Sequence, residues 1–159
     1  MPATLEAIQQ FLSVKRIAMV GLSRNPRHFS VMLFNELIRR GYDIVPVNPA
    51  ATMLHGRPCF PRVQDIHPPV EAALLMTAPA VTDTAVADCA QAGVRRIWMY
   101  RAGAKGGSVT PTAVTFCQSQ GIQVIPGECP FMFLPHNGFH ALHGFLRKLT
   151  GHYPKHQAA

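Results

Sequence analysis

Residues 17–30 read Ile17-Ala18-Met19-Val20-Gly21-Leu22-Ser23-Arg24-Asn25-Pro26-Arg27-His28-Phe29-Ser30. The four apolar residues at the start form a short continuous run, the pattern of a strand buried on both faces. Gly21 closes that run. A helical pattern follows over residues 31–40, with Phe34, Leu37 and Ile38 on one face and Gly41 as its stop. Strand, glycine, polar loop and helix in this order begin a βαβ unit.

The alternation continues in both directions. Leu5, Ile8, Phe11 and Leu12 make a helical stripe behind a Thr4 cap. Ile44-Val45-Pro46-Val47 is the next strand, although its proline suits a central strand poorly. Residues 50–69 form a proline-punctuated connection, with one turn and a short helix near 63–66 expected. Residues 72–76 are a third apolar strand, 81–92 a helix stopped by Gly93, and Arg96-Ile97-Trp98-Met99-Tyr100 a fourth strand. Ser108 or Thr110 caps a helix that takes Pro111 in its first turn and ends at Gly121. Residues 122–125 are the fifth strand, residues 139–149 a last helix, and residues 151–159 a polar tail. Right-handed crossovers between such strands give an α/β fold, a doubly wound parallel five-stranded Rossmann-like sheet with expected order 3-2-1-4-5. Ligands of such sheets bind beyond the carboxyl ends of the strands. That nominates residues 21–30, Asn48-Pro49, Thr77-Ala78-Pro79 and 101–108.

With 159 residues the chain fits one domain over residues 1–150, followed by the tail. A hydrophobic share of 48% against 14% charged residues rules out intrinsic disorder. No apolar run approaches the roughly 18 residues of a membrane helix. Residues 1–10 carry Glu6 and no basic run, so no signal peptide is expected and the localisation is read as cytoplasmic. The net charge of +7 favours anionic partners, whether nucleic acid, membrane surface or a phosphorylated small molecule. Cys59, Cys89, Cys117 and Cys129 are widely spaced, which favours buried thiols over a disulfide framework.

The first loop carries the chemistry that charge alone leaves open. Gly21 permits a tight exit from the strand, Ser23 and Ser30 offer hydroxyls, and the amides at the helix start face any bound anion. Arg24, Arg27 and His28 can add charge-assisted bonds to phosphate. The loop taken alone fits a phosphate site and a solvated glycine turn equally. The dinucleotide fingerprint GxGxxG fails, because Ser23 and Pro26 stand where glycines are needed. The second strand ends in Asn48-Pro49 without the acid that binds an adenine ribose, and no P-loop is present.

These residues resemble a known family. VGLSRNPRHFS at 20–30, RRGYDIVPVNP at 39–49, HGRPCFPRVQDI at 55–66 and RRIWMYRAG at 95–103 are similar to the small stand-alone CoA-binding proteins. These in turn are similar to the CoA-binding domain of the succinyl-CoA synthetase alpha subunit. The resemblance implies that Gly21, Ser23, Arg24 and Ser30 hold phosphates of coenzyme A. By the same resemblance Val47, Asn48 and Pro49 border the adenosine, Thr77, Ala78 and Pro79 line the groove, and Trp98 and Tyr100 lie near its far side. Many relatives have glutamine and a nearby glycine after the tryptophan, where this chain has Met99-Tyr100-Arg101-Ala102-Gly103. Lys105-Gly106-Gly107 then supplies either another phosphate contact or a flexible loop. The three phosphate groups of CoA match a basic chain in sign, and the absence of an acid at Asn48-Pro49 removes repulsion against a phosphorylated ribose.

The resulting expectation is a non-catalytic module that binds CoA or a small acyl-CoA as carrier, sensor or partner of another enzyme. No GxSxG elbow and no carboxylate pair placed for acid–base work is present, and Asp83 and Asp88 read as a solvated helix face. The ligases that share this domain carry a phosphorylated histidine and an ATP-grasping unit on other domains. Cys129 or Glu128 with His136, His140 and His143 would suit a metal, but no HExxH pattern supports it, and structural roles are preferred. An NAD(P)-binding oxidoreductase, with Arg24 and Arg27 on a 2′-phosphate, is the alternative reading. A nucleic-acid-binding protein using Arg147, Lys148 and Lys155 is a weaker one. An apolar face on the last helix would serve a homodimer or a protein partner, or would cover the sheet.

Overall fold

Short apolar runs become sheet strands because both faces of the sheet are covered, as the computed structural model shows over the residues it describes, 3–101 and 107–134. Helix α1 (Leu5–Ser13) precedes β1 (Arg16–Val20), α2 (Phe29–Arg39) and β2 (Asp43–Val47). A hairpin of β3 (Met53–Leu54) and β4 (Arg57–Pro58) leads to a 3-10 turn at Val63–Asp65. Then come β5 (Ala72–Leu75), α3 (Pro79–Gln91), β6 (Arg96–Met99), α4 (Pro111–Ser119), β7 (Gln123–Pro126) and a 3-10 turn at Pro130–Met132. Lys105, His136, His140, His143, the expected last helix and the tail with Lys155 lie outside the described residues.

The main sheet runs β2-β1-β5-β6-β7, and every pair is parallel. Ile17 stands beside Ile44 on one side and Ala72 on the other. One face packs Phe11 of α1 and Leu33, Phe34 and Leu37 of α2 against Met19, Leu74 and Trp98. The opposite face packs Val86 and Cys89 of α3 and Ala113 and Cys117 of α4 against Ala18, Leu75 and Ile97.

The sheet is the expected doubly wound one, with one reassignment. The position beyond β2 is held by a single parallel bridge between Val47 and Phe60. With that rudimentary strand as the third, the order reads 3-2-1-4-5-6, which extends the expected 3-2-1-4-5 arrangement by one strand, and β5 takes the fourth place beside β1 rather than the third. The same edge explains Pro46. Its carbonyl accepts from the Phe60 amide at 3.0 Å, so its missing N–H also faces the open side and interrupts no bond to β1.

Caps set the helix boundaries. Thr4 Oγ1 accepts from the Ala7 amide at 3.1 Å, and Thr110 Oγ1 from the Ala113 amide at 3.0 Å. α2 begins at Phe29, before the expected start, because His28 Nδ1 caps it by accepting from the Ser30 amide at 3.2 Å. α3 also begins earlier than expected, since Pro79 fits the first helical position. Within the 50–69 connection the short helix is present as the 3-10 turn. The β3–β4 hairpin was not visible in the sequence, because two-residue strands show no periodicity. Its turn is His55 (φ 47°) and Gly56 (φ 78°), both left-handed as a two-residue hairpin loop requires. No helix among the described residues is long and apolar enough to cross a membrane.

No disulfide joins the cysteines among the described residues: Cys59, Cys89 and Cys117 are buried and Cys129 is half-buried. Burial disfavours the thiolate, pushing the Cys117 thiol up to about 11 and those of Cys89 and Cys59 up as well. A maleimide or iodoacetamide pulse at pH 8, mapped by mass spectrometry, is therefore expected to label Cys129 first. Cys89 and Cys117 should react only after denaturant is added.

Candidate functional site

The chain leaves β1 through α2 to β2 on one side, and the next strand, β5, lies on the other side of β1. This reversal opens a crevice beyond the carboxyl ends of β1, β2 and β5. A groove of about 430 Å³ occupies it. Val20, Val47 and Val63 form its floor and side, and Val81, Thr84, Ala85 and Asp88 of α3 form the opposite wall. Gly21, Asn48, Pro49 and Thr77 rim its upper end, while Pro61 and Arg62 border it across from α3.

Gly21 sets the geometry of the rim. Its φ is 85°, and a Cβ there would stand 3.0 Å from the Met76 carbonyl carbon and oxygen and 3.1 Å from the Thr77 nitrogen. Only glycine lets the chain turn out of β1 directly over the end of β5. The Gly21 amide donates to the Val47 carbonyl at 3.1 Å, and the Met76 amide to the Val20 carbonyl at 2.8 Å, so the three strand ends are tied together.

The loop after Gly21 is closed on itself. The Ser23 amide donates to Ser30 Oγ, and the Asn25 amide to Ser23 Oγ, both at 3.1 Å. The Arg27 amide donates to Asn25 Oδ1 at 3.0 Å, and Ser30 Oγ lies 2.8 Å from His28 Nδ1. The expectation that the amides at the start of α2 stand open to an anion is corrected in part: His28 engages the Ser30 amide through its ring nitrogen and those of Val31 and Met32 through its carbonyl. Ser30 is fully buried and braces the loop from beneath. The groups directed outward are the side chains of Arg24 and Arg27. Arg16, Arg39, Arg40, Arg57, Arg62 and Arg96 each pair with an acid, whereas Arg24, Arg27, Arg95 and Arg101 do not among the described residues, and of these four only Arg24 and Arg27 lie on the loop after Gly21.

Two neighbours hold this loop. Asn48 Nδ2 donates to the Leu22 carbonyl at 3.3 Å while its Oδ1 accepts from the Ala50 amide at 2.9 Å. His55 Nε2 donates to the Ser23 carbonyl at 2.7 Å. His55 escaped the sequence reading, and the only signal for it was the His55-Gly56 pair as a hairpin turn. Thr77 is buried, and its hydroxyl donates to Thr82 Oγ1 at 2.8 Å, which donates in turn to the Ala78 carbonyl at 3.1 Å. Ala78 and Pro79 are exposed at the start of α3.

The far side differs from expectation. Trp98 is fully buried, donates Nε1–H to the Glu128 carbonyl at 2.8 Å and meets Phe11 edge-on at 5.3 Å. It belongs to the core under α1 because β6 turns this position inward. Tyr100 is half-buried and stacks on Phe29 at 4.8 Å, with the rings 14° apart. Burial raises its phenol above the ordinary value, with Cys129 adding to the effect. Neither side chain lines the groove. Asp83 is exposed and accepts from Thr110 Oγ1 at 2.6 Å. Asp88 is not on a solvated face: it is half-buried at the lower end of the groove and accepts from Gln64 Nε2 at 3.1 Å. The recurrence of Val81, Thr84, Ala85 and Asp88 at helical spacing was the available signal for that wall.

A doubly wound sheet with a crevice at its switch point, rimmed by a glycine turn and a basic loop, defines a Rossmann-like α/β domain. A family model described as CoA binding domain matches residues 15–135, and the chain belongs to that family. It is 23% identical over 143 residues to an ADP-forming acetate–CoA ligase II of Archaeoglobus fulgidus, covering 86% of this chain. That match spans 21% of the ligase. Among solved structures it is similar to a hypothetical protein from Pyrococcus horikoshii, at 28% identity and a TM-score of 0.74, covering 82% of this chain and 91% of that one. It is also similar to a dinucleotide-forming acetyl-coenzyme A synthetase 1 of Ca. Korarchaeum cryptofilum in complex with phosphate and ADP. There the identity is 26% and the TM-score 0.61, over 71% of this chain and 25% of that one.

Gly21→Ala should cost about 2 kcal/mol of stability, from the left-handed φ and the backbone contact together. Urea denaturation followed by circular dichroism measures it, and Gly56→Ala, whose Cβ would meet nothing within 4 Å, should cost less.

Proposed function

We propose that this chain binds coenzyme A or a small acyl-CoA and performs no chemistry on it alone, acting as a carrier, sensor or partner of another enzyme. The observation that carries the reading is the pairing of two surfaces at the switch point. An apolar groove leads up to a loop whose Arg24 and Arg27 have no acidic partner among the described residues. An adenosine suits the groove, and phosphates suit the arginines, which can bond them with charge assistance. Membership of the CoA-binding domain family supports CoA over other phosphorylated nucleotides.

A ligand that binds the native state raises its stability by about 2.7 kcal/mol at one hundred times its Kd. CoA at saturating concentration is therefore expected to raise Tm by several degrees. Arg24→Glu should leave the ligand-free Tm unchanged and weaken CoA at least tenfold in calorimetry. A Tm that responds to NADPH and ignores CoA would replace this reading with the oxidoreductase one.

A further inference from the structure

The two ends of the groove differ in charge, and the lower end carries a carboxylate with one oxygen still available. Val81, Thr84 and Asp88 stand one above another on α3, so the wall from Val81 to Asp88 is about 10 Å long. At the top, the loop with Arg24 and Arg27 attracts phosphate; at the bottom, Asp88 repels it. A nucleotide lying along this wall therefore places its phosphates at the Gly21 rim and its base between the valines beside Asp88.

Asp88 is held in place there. Its Oδ1 accepts from Gln64 Nε2 at 3.1 Å, and the same amide reaches Gln91 Oε1 at 3.3 Å. Its Oδ2 has no hydrogen-bond partner among the described residues. Across the groove, Arg62 gives Nε and Nη2 to Asp65 at 3.2 and 3.1 Å, and its charge is also felt by Asp88, so the lower end holds one cation against the two carboxylates of Asp65 and Asp88. An ionised carboxylate only accepts, and its complement on a base edge is an amino group.

Resting on the CoA reading, we propose that Asp88 recognises the base of the bound nucleotide by accepting a hydrogen bond from the 6-amino group of adenine. The groove is thereby selective for adenine over 6-oxopurines. In a 6-oxo base a lone pair faces Oδ2, and two acceptors are brought together in a half-buried slot. A site built around a donor on its ligand discriminates against the analogue lacking that donor, because its own polar group is left without a partner. Gln64 acts as the positioning residue, since its amide engages Oδ1 and leaves Oδ2 for the ligand.

The test compares CoA with its deaminated analogue, in which hypoxanthine replaces adenine, by calorimetry on the full chain. Wild type is expected to bind CoA at least tenfold more tightly than the analogue. Asp88→Asn keeps the shape of the side chain and offers an N–H to the 6-oxo group, so it should narrow the ratio to less than threefold. Equal affinity of wild type for the two ligands, or an unchanged ratio in Asp88→Asn, overturns the role of Asp88. Binding of neither ligand overturns the CoA reading itself, and that result is distinct from equal binding of both.

Discussion

Where β1 ends, the Gly21 Cα lies so close to the Met76–Thr77 backbone that a single added carbon would sit 3.0 Å from the Met76 carbonyl. That approach keeps the carboxyl ends of β1 and β5 in contact while the chain turns toward α2. It also brings Val47 within reach of the Gly21 amide, so one residue joins three strand ends. The groove lies where these three ends meet. A bulkier residue would force the first loop away from β5 and widen the rim that Thr77 and Asn48 share with it.

The loop beyond Gly21 is arranged by competition among its own polar groups. Ser23, Asn25, His28 and Ser30 bond among themselves and to the Arg27 amide, so most of the loop amides and that of Ser30 at the helix start are engaged inside the protein. Side-chain charge is therefore the main attraction the loop holds for an anion. Most arginines elsewhere pair with Asp or Glu, and the loop arginines keep their charge outward. Asn48 and His55 clamp the loop from the β2 side through the carbonyls of Leu22 and Ser23. The site thus combines a rigid, internally bonded frame with two mobile-length cationic side chains on its surface.

The fold was legible because its strands are buried on both faces and so appear as unbroken apolar runs, which the helices separate with their own period. The first loop, the Asn48-Pro49 turn and Thr77-Ala78-Pro79 were legible for a related reason: a doubly wound sheet can place only certain loops at its switch point. Local signals failed where burial depends on a distant partner. The family resemblance sets Trp98 near the far side of the groove, but Phe11 of α1 and the Glu128 carbonyl enclose it. Asp88 looks like a solvated helix residue, but Gln64 from the connection after β2 packs against it.

From sequence alone came the alternation of strands and helices, the glycine at the first turn, the positive balance and the lack of a dinucleotide fingerprint, since each is a property of neighbouring residues or of composition. Only the tertiary structure decided that β5 lies beside β1 and that the edge beyond β2 is a single bridge at Phe60. It also turned Ser30 and Trp98 inward and brought Asp88 to the groove. These choices are made by contacts between segments far apart in the chain, and the energy of such contacts is not encoded in the pattern of any one segment.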